Sequence, residues 1–179
     1  MKTQKFILTA VIFLLSTLCA SAYDFEVNGL YYNFISGTDN VEVTYSDEYP
    51  NPYNGDIVIP GTVSWEGKVY QVTEIGDGAF HSAEITSCQI PNSITKIGSW
   101  AFTWTDLADI TIPASVTTIG EYVFWGTEKM TAINVKNSNL SFSSSAGILF
   151  DKEKSTLINH IAKIQIIFFL QIWNCTPGL

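Results

Sequence analysis

No arginine occurs anywhere in these 179 residues, and the nine cations are set against seventeen acids. A nucleic-acid binder needs a basic footprint, usually with guanidinium forks on phosphate, so that class is excluded. Binding to an anionic lipid surface, which relies on clustered Lys and Arg, is excluded on the same ground. Histidine occurs twice, at His81 and His160, and cysteine three times, at Cys19, Cys88 and Cys175, with no zinc-ligand spacing among them. There is no Gly-x-Ser-x-Gly elbow. Gly76-x-Gly78 stands alone and is no phosphate-cradling loop. Paired carboxylates such as Asp106 and Asp109 fall in a solvated turn rather than a glycosidase-like cleft. The residue inventory therefore predicts neither an enzyme nor a cofactor or metal protein.

The first 22 residues read as an export signal. Lys2 and Lys5 supply the positive start, residues 6–15 are mostly apolar, and Ala20-Ser21-Ala22 fits an A-x-A cleavage site. The apolar run is too short for a membrane anchor, and Leu18 before Cys19 does not suit a lipoprotein signal. Cleavage before Tyr23 would leave 179 − 22 = 157 residues of net charge (9 − 2) − 17 = −10. The expected product is exported, whether secreted, periplasmic or held at the cell surface, with no stable membrane insertion after cleavage. Its acids crowd into residues 24–77, where Lys68 is the one base. That reads as a solvated face; a weak calcium site near Asp39, Asp47 and Glu48 lacks any known ligand spacing.

A repeat organises the middle of the chain. Ile110-Thr111-Ile112-Pro113 follows Cys88-Gln89-Ile90-Pro91 with 113 − 91 = 22, and the pairs Ile75-Gly76, Ile97-Gly98 and Ile119-Gly120 keep the same interval, as do Phe80, Phe102 and Phe124. A fixed interval of this size is the mark of stacked repeats. Each unit holds two short alternating strands whose apolar side chains share one face. Proline ends the first strand because it has no N–H for the ladder, and glycine follows the second where a side chain would obstruct the turn. The predicted core is Ile59, Ile75, Phe80, Ile90, Ile97, Phe102, Ile110, Ile112, Ile119 and Phe124. Cys88 stands where Ile57, Ile110 and Ile133 stand in other units, and reads as a small buried apolar residue.

The flanks differ. Residues 24–27, 30–35 and 41–45 predict a β-meander with a hairpin turn at Asn28-Gly29. An open stack needs a distinct segment to cover its first unit, and this meander is the candidate. The first unit is interrupted by a predicted hairpin around Glu66-Gly67, and one residue is inserted between the third and fourth strands near residues 127–130. The serine-rich stretch 138–145 reads as loop, followed by a hairpin of residues 147–150 and 155–158. Asn139-Leu140-Ser141 fits an N-glycosylation acceptor pattern, which matters only in a eukaryotic host. The expected layout is signal 1–22, N-terminal β cap 23–56, repeats 57–136, hairpin segment 137–158 and an atypical apolar tail 159–179. The tail shows no further repeat and reads as a poorly matched end or as a hydrophobic cap.

The unit Leu107-x-x-Ile110-x-Ile112-Pro113-x-x-Val116-x-x-Ile119-Gly120-x-x-Val123-Phe124 resembles the BspA-type leucine-rich repeat, the fifth class of these repeats. The resemblance covers about residues 23–158 and includes Phe25-Glu26-Val27-Asn28-Gly29-Leu30, Trp65-Glu66-Gly67-Lys68 and Gly147-Ile148-Leu149-Phe150. It implies a mostly β, short, open leucine-rich-repeat solenoid. It also implies an exported binding module of the kind found in host-associated anaerobes, where some members are adhesins for matrix proteins or other bacteria. Family members often carry many more repeats. The competing reading is a truncated or purely structural repeat protein with no ligand of its own.

Aromatic placement is the one surface signal. Trp100 and Tyr122 share a repeat position with Gly78, while Trp104 and Trp125 follow just after the phenylalanine. Tryptophan and tyrosine are enriched where proteins bind partners, so these four are the candidate ligand-binding patch, for a protein or glycan. The alternative is a packing ladder between neighbouring repeats.

Overall fold

The computed structural model describes residues 21–155 and 157–159. The expected signal segment, apart from Ser21 and Ala22, and the expected tail, apart from Asn159, lie outside the described residues. The described residues contain strands and turns and no helix.

Strands β1 (Phe25–Val27), β2 (Leu30–Phe34) and β3 (Asn40–Thr44) form an antiparallel meander. Asn28 and Gly29 take φ of 53° and 78° at its first turn, as a two-residue hairpin requires. Strand β3 then pairs in parallel with β6 (Lys68–Ile75), so the meander continues the sheet of the repeats. The same sheet runs on through β8 (Lys96–Ile97) to β10 (Thr118–Ile119), always in parallel. Ile75, Ile97 and Ile119 lie in register across it. The inserted segment forms β5 (Thr62–Trp65), which folds back antiparallel on β6 across Glu66 and Gly67.

A second set of strands carries the Ile-x-Ile motifs. It comprises β4 (Asn54–Val58) paired with β7 (Glu84–Gln89), and β9 (Asp109–Ile112) paired with β11 (Ala132–Val135). Ile57 faces Cys88, and Ile110 faces Ile133, the equivalence the spacing predicts. The residue inserted near 127–130 is taken up in a turn where Met130 N–H donates to Thr127 O, and Thr131 N–H regains the ladder on Ala108 O.

Between these sets lies the core. Phe80, Phe102 and Phe124 form a column, with ring centroids 5.2 Å apart at 12° and 5.7 Å apart at 9°. Tyr53 joins it 4.8 Å from Phe80, ties its hydroxyl to Thr44 O, and accepts Tyr31 N–H. Eight of the ten predicted core residues are buried. Ile90 and Ile119 are the corrections, being only partly buried. Ile90 falls just past the end of β7, and Ile119 is on the last strand of its sheet among the described residues. Cys88 is buried, and that burial pushes its thiol up to about 12.

The spacing of the repeats is set by backbone contact. A Cβ on Gly98 would lie 2.5 Å from Asp77 N and 2.7 Å from Gly76 C, and one on Gly120 would lie 2.7 Å from Ser99 Cα. These glycines are required by close approach of the neighbouring repeat, not by their own dihedrals.

The serine-rich stretch departs from its predicted loop. It contains β12 (Phe142–Ser145), which pairs antiparallel with β13 (Ile148–Asp151), itself paired with β14 (Leu157–Asn159). Serine has little strand preference, and Ala146-Gly147 in a tight left-handed turn brings the segment back onto β13. Asn139 anchors this unit. Its amide is fully buried, donates to Pro113 O at 2.8 Å and Val116 O at 2.9 Å, and accepts Ser141 and Phe142 N–H. With its amide so committed, Asn139 has no room for a glycan in the folded protein.

Candidate binding surface

The turn that follows each Ile-Gly pair stacks on the next through its own backbone ladder. Gly78, Phe80 and Ser82 N–H donate to Ser99, Ala101 and Thr103 O at 2.8–2.9 Å, and Trp100, Phe102 and Trp104 N–H donate to Glu121, Val123 and Trp125 O at the same distances. Side chains reinforce it. Asp77 Oδ1 accepts Ser99 N–H at 2.7 Å, Ser99 Oγ accepts Glu121 N–H at 3.2 Å, and Thr103 Oγ1 donates to Tyr122 O at 2.7 Å. Phe80, Phe102 and Phe124 point inward from this segment, while Trp100, Trp104, Tyr122 and Trp125 are exposed on it.

Two positions in each turn take left-handed backbone. At the first, Gly78, Trp100 and Tyr122 have φ of 64°, 57° and 55°; at the second, Ser82, Trp104 and Gly126 have 57°, 59° and 71°. Glycine adopts this region freely, whereas a residue with a Cβ is disfavoured there by roughly 1–2 kcal/mol. Each position holds glycine in one unit and a large aromatic in another. The aromatics are thus not what the turn needs for its shape.

All four sequence-predicted residues lie on this face. Trp104 is 65% exposed and Trp125 50%, with Trp100 and Tyr122 between them. Trp100 stacks on Tyr122 at 6.4 Å and 29°, and Tyr122 lies 6.0 Å from Trp125 at 43°. The patch and the ladder are therefore one arrangement: the rings touch between repeats and still offer about half their area to solvent. Among the described residues Trp104 stacks on no other ring; it occupies the space left by Gly126.

Sequence reasoning missed the other wall. Trp100 and Trp104 line a cleft of about 680 Å³ together with Tyr45 and Tyr49, which follow β3, and with Glu48 and Asp77. Tyr45 is half exposed and Tyr49 almost wholly so. No periodic signal links the meander loop to the second repeat, so only the folded chain brings these rings together. His81, exposed as expected, also borders the cleft, with Nδ1 3.0 Å from Ser82 Oγ. Two of the acids near the expected calcium site have other partners. Asp39 pairs with Lys68 at 2.5 Å, and Asp47 accepts Ala22 N–H at 2.8 Å.

A family model for the BspA type leucine-rich repeat region matches residues 69–172 in 6 copies. The chain belongs to the BspA-type leucine-rich repeat family. The match runs on past Ile158 to residue 172, so the expectation that no repeat follows Ile158 is corrected: the family region takes in part of the segment read as an atypical tail. Among solved structures, a leucine-rich repeat protein from Eubacterium ventriosum is similar at 28% identity and TM-score 0.50, over 51% of this chain and 25% of that one. A leucine-rich repeat protein from Bacteroides capillosus aligns at 24% identity and TM-score 0.47, over 63% of this chain and 98% of that one. A leucine rich cell surface protein from Faecalibacterium prausnitzii aligns at 15% identity and TM-score 0.38, over 76% and 61%. This BspA-type chain spans a quarter of the length of the Eubacterium ventriosum relative. No curated protein matches it. Among the described residues, no helix is long and apolar enough to cross a membrane.

Proposed function

We propose that this BspA-type protein is an exported binding module for a protein partner in adhesion or surface interaction, and that the turn face carrying Trp100, Trp104, Tyr122 and Trp125 is its contact surface. One observation carries this reading. Large aromatics occupy left-handed backbone positions that glycine fills in neighbouring repeats, and they remain exposed. Strain at a surface position where an unstrained residue is available is a pointer to function. Rigid aromatic rings are also what binding surfaces favour.

The competing reading, a spacer with no ligand, treats the same rings as inter-repeat packing. Immobilising the purified chain and probing it with extracellular-matrix proteins and bacterial surface extracts separates the two. A specific partner should be retained, and Trp125→Ala or Trp100→Gly should reduce retention at least tenfold while circular dichroism stays unchanged. Retention that survives both substitutions would move the contact surface elsewhere, and no retention would favour the spacer.

A further inference from the structure

We infer that the cleft between Tyr45, Tyr49, Trp100 and Trp104 receives a lysine or arginine side chain from a cationic polypeptide. This rests on the proposed binding function and names the chemistry of the partner. The walls are aromatic, and aromatic faces attract cations through their quadrupole. The rim carries two carboxylates, Glu48 and Asp77, and the lining includes no lysine. Asp77 is held in place because its Oδ1 accepts Ser99 N–H at 2.7 Å. The wider field has the same sign, with the expected mature chain at (9 − 2) − 17 = −10 and lacking arginine altogether. Such a field draws in a positive partner and repels an acidic one.

The molecule already contains the arrangement in small. Lys68 Nζ lies 4.9 Å from the Tyr70 ring centroid while it pairs with Asp39 at 2.5 Å. One cation there takes an aromatic face and a carboxylate together. The cleft offers more aromatic surface and two carboxylates, and among the described residues no lysine lines it, His81 being its one basic side chain. A neutral glycan could stack on the same rings, but it would gain nothing from the net charge of the rim. A basic peptide uses both.

The test is fluorescence anisotropy of the purified chain with a labelled peptide alternating lysine and glycine, its fully acetylated counterpart, and labelled chitohexaose. The lysine peptide should bind, weaken at least tenfold between 20 and 200 mM NaCl, and weaken at least tenfold with Trp100→Gly, Trp104→Gly or the pair Glu48→Gln with Asp77→Asn. Glycine is chosen because Gly78 and Gly126 hold those positions in other repeats, and asparagine can still accept Ser99 N–H. The acetylated peptide should bind at least tenfold more weakly. Equal binding of the acetylated peptide, binding of chitohexaose in preference, or lysine-peptide binding indifferent to the tryptophan variants would each overturn the inference. If the matrix and surface probes are retained through the aromatic face while the lysine peptide fails, only the cation assignment falls. If neither is retained, the binding function itself falls.

Discussion

Trp104 and Gly126 share one space: a Cβ added to Gly126 would overlap the indole Cδ1 and Nε1 of Trp104. The two residues occupy the same left-handed position in successive repeats, so the glycine below makes room for the ring above. Gly126→Ala should therefore lower stability by about 1–3 kcal/mol, from the left-handed backbone and from the displaced ring. In a Trp104→Gly background the steric part should vanish and the cost should fall to the backbone part alone. Urea midpoints of the four proteins measure this, and an unchanged cost in both backgrounds would refute the contact.

Substituting Gly98 or Gly120 by alanine should be more damaging than any other glycine-to-alanine change in the repeats. Their Cβ atoms would press on the backbone of the preceding repeat, which cannot yield without opening the ladder. A loss of about 3 kcal/mol or more is expected. Gly61→Ala is the control, since its Cβ would lie 3.6 Å from Ser93 Oγ. Comparable melting temperatures for all three variants would show that the repeats are not in backbone contact.

At residue 100, glycine should be more stable than alanine. In strand or helix interiors the order is the reverse, but at φ of 57° alanine keeps the left-handed cost that glycine escapes. The difference between Trp100→Gly and Trp100→Ala should be about 1 kcal/mol in favour of glycine. Both lose the ring contact with Tyr122, so it cancels in the comparison. Equal stabilities would remove the strain argument for function.

Asn139→Asp should destabilise strongly, because a buried carboxylate cannot donate to Pro113 O and Val116 O. Pro113 O keeps the Val116 N–H, but losing the amide from Val116 O costs about 1–3 kcal/mol, before any penalty for burying charge. Expression in a glycosylating host followed by intact-mass measurement gives a second check. Folded protein should carry no glycan at residue 139, and full occupancy there would contradict the buried amide.

High pH should destabilise the protein, with the meander phenols contributing. Burial pushes the Tyr32 phenol up to about 12 and raises that of Tyr53 as well. An unfolded phenol titrates near 10. Below about pH 10 both states hold the phenolic protons; above it the unfolded chain releases them first, so their contribution falls as pH rises towards 12, on top of the loss from the buried Cys88 thiol, which begins near the free-thiol value of about 8.5. Urea midpoints from pH 8 to 11.5 should fall in this window, with a shallower slope in Tyr32→Phe. A flat profile would mean that these phenols are hydrated in the folded state.

The repeat interval was legible because each of its markers has its own physical reason. Ile97 and Ile119 fill one face of parallel strands, Gly98 and Gly120 permit contact, and Phe102 stacks between its equivalents. Asn28-Gly29 was legible because few residue pairs accept two positive φ values. The limits were physical too. Strand β12 is made by pairing with β13, not by the preference of its serines. The role of Asn139 depends on carbonyls of Pro113 and Val116, far back in the chain. The four aromatics could be assigned to one face from spacing alone, but Tyr45 and Tyr49 reach the same cleft through the packing of the meander against the stack.

The bonds that join one turn to the next, from Gly78 to Ser99 and from Trp100 to Glu121, run along the direction in which the repeats are stacked. A pull along that direction loads one interface after another, so the repeats should come away singly. Each unit of 113 − 91 = 22 residues occupies about 4.8 Å of the stack but about 75 Å when drawn out. A single detached repeat thus releases about 70 Å of slack while the others hold. If the proposed partner contact is loaded along this axis, that slack would let it outlast a sudden tug.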